Sequence, residues 1–174
     1  MTIPIHDDAD YIEWLKALFF LMAKVRREGL MSVECDIENP ENENSIFSAF
    51  PKTLSQPYLD FATDILRMMV SGNLDSEEMR VYGDHATAGH VEAGEANAYL
   101  LKTIWLTLWA SMCGYAPQLA IEFGRQAIPV RCKPRFAELE DAIKAAKQNS
   151  PLQRGKPETL DQAVDRFMAS LERK

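Results

Sequence analysis

Cysteine is scarce in this chain of 174 residues: Cys35, Cys113 and Cys132 are odd in number and far apart. No C-x-x-C pair or disulfide framework can be drawn from them, which points to a reducing compartment. Long apolar runs are lacking as well. The apolar part of the first helical stretch ends at Lys24, and the stretch from Thr103 to Ala120 is broken by Gly114 and Pro117, with Lys102 ahead of it. Neither supplies the roughly 20 uninterrupted apolar residues of a membrane span, so no span and a soluble chain are expected. The opening MTIPIHDDAD is polar and acidic, unlike a signal peptide. Positive charge is in deficit, with 19 Lys and Arg against 26 Asp and Glu for a net −7. That balance argues against nucleic acid or anionic lipid as a partner. Catalytic signatures are missing too: there is no glycine-rich phosphate loop, G-x-S-x-G elbow or Cys-His pairing. Neither an enzyme nor a cofactor is expected.

What the sequence does have is helical periodicity. Asp7, Asp8 and Asp10 suit the start of a helix, in which Trp14, Leu18, Leu21 and Val25 form one apolar row and Leu15, Phe19 and Met22 another. Asp36 to Asn44 reads as a polar loop, and Ser45 to Pro51 as a short helix carrying Phe47 and Phe50. Pro57 opens a further helix through Tyr58, Phe61, Ile65, Met68 and Met69, ended by Ser71-Gly72-Asn73. Asp75 or Ser76 starts another, whose pattern weakens at Gly83, Gly89 and Gly94. Helical order resumes near Ala96 with Leu101, Ile104, Trp105, Leu108, Trp109 and Met112, the stretch expected to be most buried. Pro117 begins a helix to Ile128, Pro129 and Pro134 bracket a linker, and Phe136 to Lys147 is amphipathic. After a linker at Ser150 to Lys156, Thr159 with Gln162 forms a capping box before a tail helix with Leu160, Val164, Phe167 and Leu171. The expectation is an all-α fold of about five to six helices with a C-terminal helical tail. Residues 1–148 form the main domain and 149–174 a linker and amphipathic helix.

Two clusters have chemical character. Asp84, His85, His90 and Glu92 include metal-ligating types, but five residues separate the histidines, unlike the H-E-x-x-H spacing. They read as a polar linker, and no metal site is assigned. The second cluster runs from Lys24, Arg26 and Arg27 across Gly29 to Glu34 and Asp36. Helix termination explains much of it, since cations complement the negative end of a helix and glycine, then proline, stop it.

The same cluster also carries a resemblance. The run A-K-x-R-x-x-G-x-x-S-x-E-x-D-I-E-N-P, followed by S-x-F-x-x-x-P, resembles the cytoplasmic segment of the flagellar motor stator A subunit family, MotA, of the MotA/TolQ/ExbB proton-channel superfamily. The likeness extends to V-S-G-N-L-D-S-E-E-M from Val70, to Gly114-Tyr115-Ala116-Pro117 with QLAIEFGR, and to Lys133-Pro134-Arg135-Phe136 with Leu139-Glu140. Members have four membrane helices. The last two would fall between Asp84 and about Ala98, where this chain has the short polar DHATAGHVEAGEA, and the first two would precede Asp10. The resemblance therefore implies a cytoplasmic stator-like domain, at the inner face of the inner membrane near the flagellar motor, that interacts with other proteins and conducts no protons. Partners implied are the rotor switch protein FliG, stator subunits or a second copy of the chain. It maps the family's basic rotor contact onto Arg26 and its acidic contact onto Glu34, with Lys24, Arg27 and Asp36 as secondary candidates. The alternative is a soluble helical adaptor, or a ligand- or metal-binding protein, that shares ancestry with the stator family without serving motility. If one helix ran through Gly29, Arg26 and Glu34 would lie roughly 80° apart on it, with Arg27 nearly in line with Glu34.

Overall fold

The computed structural model describes residues 7–72, 75–92 and 98–149. Among them are seven α-helices and no strand, so the all-α expectation holds. The helices are α1 (Asp8–Glu28), α2 (Glu34–Glu38), α3 (Tyr58–Ser71), α4 (Ser76–Glu92), α5 (Ala98–Met112), α6 (Pro117–Ala127) and α7 (Phe136–Asn149). Short 3-10 turns lie at Leu30–Val33, Phe47–Ala49, Pro51–Leu54 and Val130–Cys132. Among the described residues, no helix is long and apolar enough to cross a membrane.

The chain divides into two compact units, residues 1–139 and 140–174. In the first, α5 is the central helix and packs against α1, α3, α4 and α6. Its apolar residues run nearly all round: Leu100, Leu101, Ile104, Trp105 and Leu108 are all buried. A helix so covered has no polar stripe for its buried threonines to face. Thr103 and Thr107 instead donate their hydroxyls back to the carbonyls of Tyr99 and Thr103, both at 2.8 Å, so neither is left unsatisfied.

Helix α1 starts where the acidic residues place it: Asp7 caps it, its carboxylate accepting the Asp10 N–H at 3.0 Å. Both apolar rows are used. Trp14, Leu15, Leu18, Phe19, Leu21 and Met22 are buried, with Val25 half-buried at the edge. Beyond Asn44 the chain returns along this helix. Phe47 packs edge-on to Trp14 with centroids 6.2 Å apart, Phe50 stacks on Phe20 at 5.7 Å, and Lys52 reaches Asp10 at 2.7 Å. Each buried phenylalanine contributes about 1.5–3 kcal/mol. Phe50 caps the first 3-10 turn and Pro51 opens the next, so the expected short helix is two turns rather than one.

Two glycines set how closely helices approach. At Gly83 of α4, a Cβ would stand 2.2 Å from the Trp105 ring; at Gly124 of α6, one would stand 2.0 Å from Thr107 Oγ1 and 3.1 Å from Leu15. The glycine at 83 corrects the sequence reading of the Asp84–Ala98 interval as a polar connection, because α4 continues to Glu92. Met79, Gly83 and Thr87, at spacings of four, form its buried stripe. Small residues there admit the indole instead of breaking the helix. Trp105 Nε1 then donates to Asp84 at 3.3 Å and Trp109 Nε1 to the Ser76 carbonyl at 3.0 Å, so α4 and α5 run in opposite directions.

In the second unit, Glu140–Asn149 completes α7, with Lys144 paired to Glu140 at 3.3 Å. Leu139 and Ile143 are buried, as the amphipathic pattern predicts, but Phe136 is exposed. The proposed tail helix around Leu160, Val164, Phe167 and Leu171 lies outside the described residues.

Candidate functional site

Helix α1 ends at Glu28 because Gly29 adopts φ +89°, a backbone conformation that side chains disfavour and glycine accepts. A 3-10 turn follows, and α2 starts afresh at Glu34. The continuous helix that would have set Arg26 and Glu34 about 80° apart is therefore absent. Another device fixes this corner. Asp36 is 1% exposed, and both of its oxygens are taken: one by Lys24 Nζ at 2.7 Å, the other by the Ile46 N–H at 2.7 Å. This carboxylate ties α1, α2 and the returning chain together.

The five charges singled out by resemblance thus divide. Lys24 and Asp36 are bonded to each other and hold the corner. Arg27 is exposed and paired with its neighbour Glu28 at 2.5 Å. Glu38 reaches Arg67 at 3.2 Å. Arg26 and Glu34 are exposed and form no ion pair among the described residues. They are the two charges of the segment 24–38 without an ion-pair partner among the described residues.

Beside Arg26 lies a half-open cleft of about 210 Å³, lined by Met22, Val25, Arg26, Ser111, Gly114, Tyr115 and Pro117. The first resembling segment and the one at Gly114-Tyr115-Ala116-Pro117, far apart in sequence, meet here. Tyr115 is held by stacking on Phe123, with centroids 5.1 Å apart, and Phe123 in turn meets Trp109 edge-on at 6.4 Å. Sequence reading missed this cleft, since no local pattern reports that Gly114-Tyr115 returns to the end of α1. It also missed the role of Asp36, whose burial depends on where the chain beyond Asn44 goes.

The QLAIEFGR motif proves to be scaffold. Arg125 donates through Nε and Nη2 to Glu122 at 2.6 and 2.7 Å and through Nη1 to the Pro134 carbonyl at 2.9 Å. These bonds hold the Glu122 carboxyl below the usual carboxylate range, against the opposing effect of partial burial. They also fasten α6 to the Lys133-Pro134-Arg135 segment. In the histidine cluster, Asp84 already accepts from Arg80 at 2.9 Å as well as from Trp105, and His85 is exposed. The side chains of His90 and Glu92 lie outside the described residues.

No family model matches the chain, and no solved structure does. Curated proteins do, among them two named motility protein A. Motility protein A of Salmonella typhimurium strain LT2 is 25% identical over 79% of this chain and 71% of its own length. Motility protein A of Escherichia coli strain K12 is 25% identical over 80% of this chain and 72% of its own. The alignments extend over 211 and 213 positions, more than the 174 residues present, so the relatives carry residues inside the matched stretch that have no counterpart here. By sequence, the chain is related to motility protein A along most of its length.

Proposed function

We propose that this chain is a stator-A-like interaction module of the flagellar motor, working on the cytoplasmic side, with neither catalytic activity nor proton conduction of its own. Arg26 and Glu34 are its contacts to a rotor switch protein of the FliG kind. The observation that carries the reading is the division of charges at the corner. Every other charge from Lys24 to Glu38 is bonded within the fold, while the two positions matched to the family's rotor contacts are exposed and form no ion pair among the described residues. An exposed charge with no ion-pair partner among the described residues adds little to stability beyond its interaction with the helix end, and steering a partner is what such charges do well. The unmatched residues within the relatives support the second part of the reading, since an internal loss of sequence is what removal of membrane helices would leave.

The experiment is a binding titration against purified rotor switch protein at low and high salt. Exposed charges are screened over about 10 Å at 0.1 M salt, so affinity should fall as salt rises, chiefly through slower association. Glu34→Lys should weaken binding and reduce the gain in affinity at low salt, with the Arg26 contact left in place. Absence of binding at any ionic strength contradicts the reading.

A further inference from the structure

The rotor contact proposed above rests on charge, and charge at an exposed surface gives orientation more than affinity. Affinity at protein interfaces comes from a few apolar anchors seated in desolvated pockets. The cleft beside Arg26 has the form such a pocket needs. Its floor is apolar and covered: Met22 is 3% exposed and Pro117 is buried, with half-buried Val25 beside them. Its rim is accessible, formed by Arg26, Gly114 and Tyr115, the last 42% exposed. The volume of about 210 Å³ exceeds the roughly 150 Å³ in which an apolar cavity accepts benzene, so one leucine- or phenylalanine-sized side chain fits. Its lining includes one cation and no carboxylate.

That combination selects a partner chemistry. We propose that the cleft is a docking socket for a protein partner presenting one apolar side chain beside a carboxylate, the apolar group entering between Met22, Val25 and Pro117 and the carboxylate meeting the Arg26 guanidinium. The proposal rests on the rotor-contact reading and adds the anchor it lacks. The larger hollow, about 440 Å³ between the Asn39–Asn42 loop and α3, offers no equivalent. Its cation, Arg67, is already bonded to Glu38, Asp64 and the Ile37 carbonyl.

The test has two arms on the full chain. In the first, 4-phenylbutanoate is titrated at millimolar concentration while backbone amide resonances are followed. The signals of Arg26, Ser111, Gly114 and Tyr115 should move together, with saturation about tenfold weaker for uncharged 4-phenylbutanol and for Arg26→Gln. Failure of 4-phenylbutanoate to move these signals, or shifts scattered elsewhere, overturns the socket. In the second arm, Ser111→Trp fills the cleft without changing any charge and should weaken rotor switch protein binding tenfold or more, with Ser111→Ala unaffected. Should Ser111→Trp melt early, Ser111→Met fills part of the same space. Rotor binding lost in Arg26→Glu but intact in Ser111→Trp leaves the charged contact standing and refutes the socket. A probe that docks on a chain that binds no rotor protein upholds the socket and refutes the rotor as its occupant.

Discussion

The last turns of α1 and α6 each carry arginine, and the fold treats the two ends in opposite ways. Arg125 has a side chain only 12% exposed, with its three donor nitrogens on Glu122 and the Pro134 carbonyl. Arg26 is exposed and forms no ion pair among the described residues. Both lie in stretches that resemble the same family, although the resemblance assigns a partner contact to Arg26 alone. Geometry separates them: one arginine fastens a helix to the next segment, and the other is presented at a corner that Asp36 fixes. A basic helix end says only that a cation complements the dipole. Whether it is structural or available depends on what the following chain brings within reach.

The largest predicted effect lies next to Arg125. Gly124→Val places a branched side chain where even a Cβ would stand 2.0 Å from Thr107 Oγ1 and 2.8 Å from the Thr103 carbonyl. Overpacking at the junction of α1, α5 and α6 should cost about 3 kcal/mol or more, seen as a lowered urea midpoint or failure to fold. Wild-type stability would mean that α6 sits further from α5 than described.

Asp36→Ala comes next. It strips the Ile46 N–H of its buried acceptor and leaves Lys24 unpaired, and should cost about 2–3 kcal/mol in urea unfolding. Hydrogen exchange at the Ile46 amide should rise more than exchange in α5. A loss under about 0.5 kcal/mol, the range of ordinary surface changes, would show that the corner holds itself without the carboxylate.

Much of this was legible in the sequence, for physical reasons. The all-α fold, the Asp7 cap, the paired apolar rows of α1, the buried α5 and the Pro117 start all follow from local periodicity and capping, which act within a few residues. What escaped is non-local. Gly83 looks like a breaker until Trp105 fills the space beside it, so the local pattern weakens where α4 in fact continues to Glu92. Asp36 reads like any loop carboxylate until Ile46 folds back onto it. In the candidate site, resemblance named Arg26 and Glu34 together with Lys24 and Asp36, and only geometry divides them into presented and internal pairs.

Arg125→Met should have a smaller effect, about 2 kcal/mol at neutral pH, and change the acid response. The Glu122 carboxyl is depressed chiefly by its bonds from Arg125, so its stabilisation is present above the unfolded carboxylate value of about 4.3. It is lost as pH falls through the lower folded value. Melting temperature followed from neutral to strongly acidic pH should therefore drop less steeply below that value in Arg125→Met than in wild type. Identical acid profiles would mean that the Glu122–Arg125 pair makes no net contribution.

Arg26 should show the smallest stability effect, with Arg26→Glu unfolding within about 1 kcal/mol of wild type, the scale of a charge at a helix end, because the residue is exposed and forms no ion pair among the described residues. That neutrality makes it the direct test of the central claim, that the corner presents Arg26 to a rotor partner. The measurement is a charge-reversal exchange: Arg26→Glu is titrated against the rotor switch protein, and then against rotor protein in which the facing carboxylate is changed to lysine. The account predicts that binding falls about tenfold or more in the first titration and returns in large part in the second, with melting unchanged throughout. Binding that is indifferent to Arg26→Glu, or lost without any recovery on the compensating reversal, would contradict it.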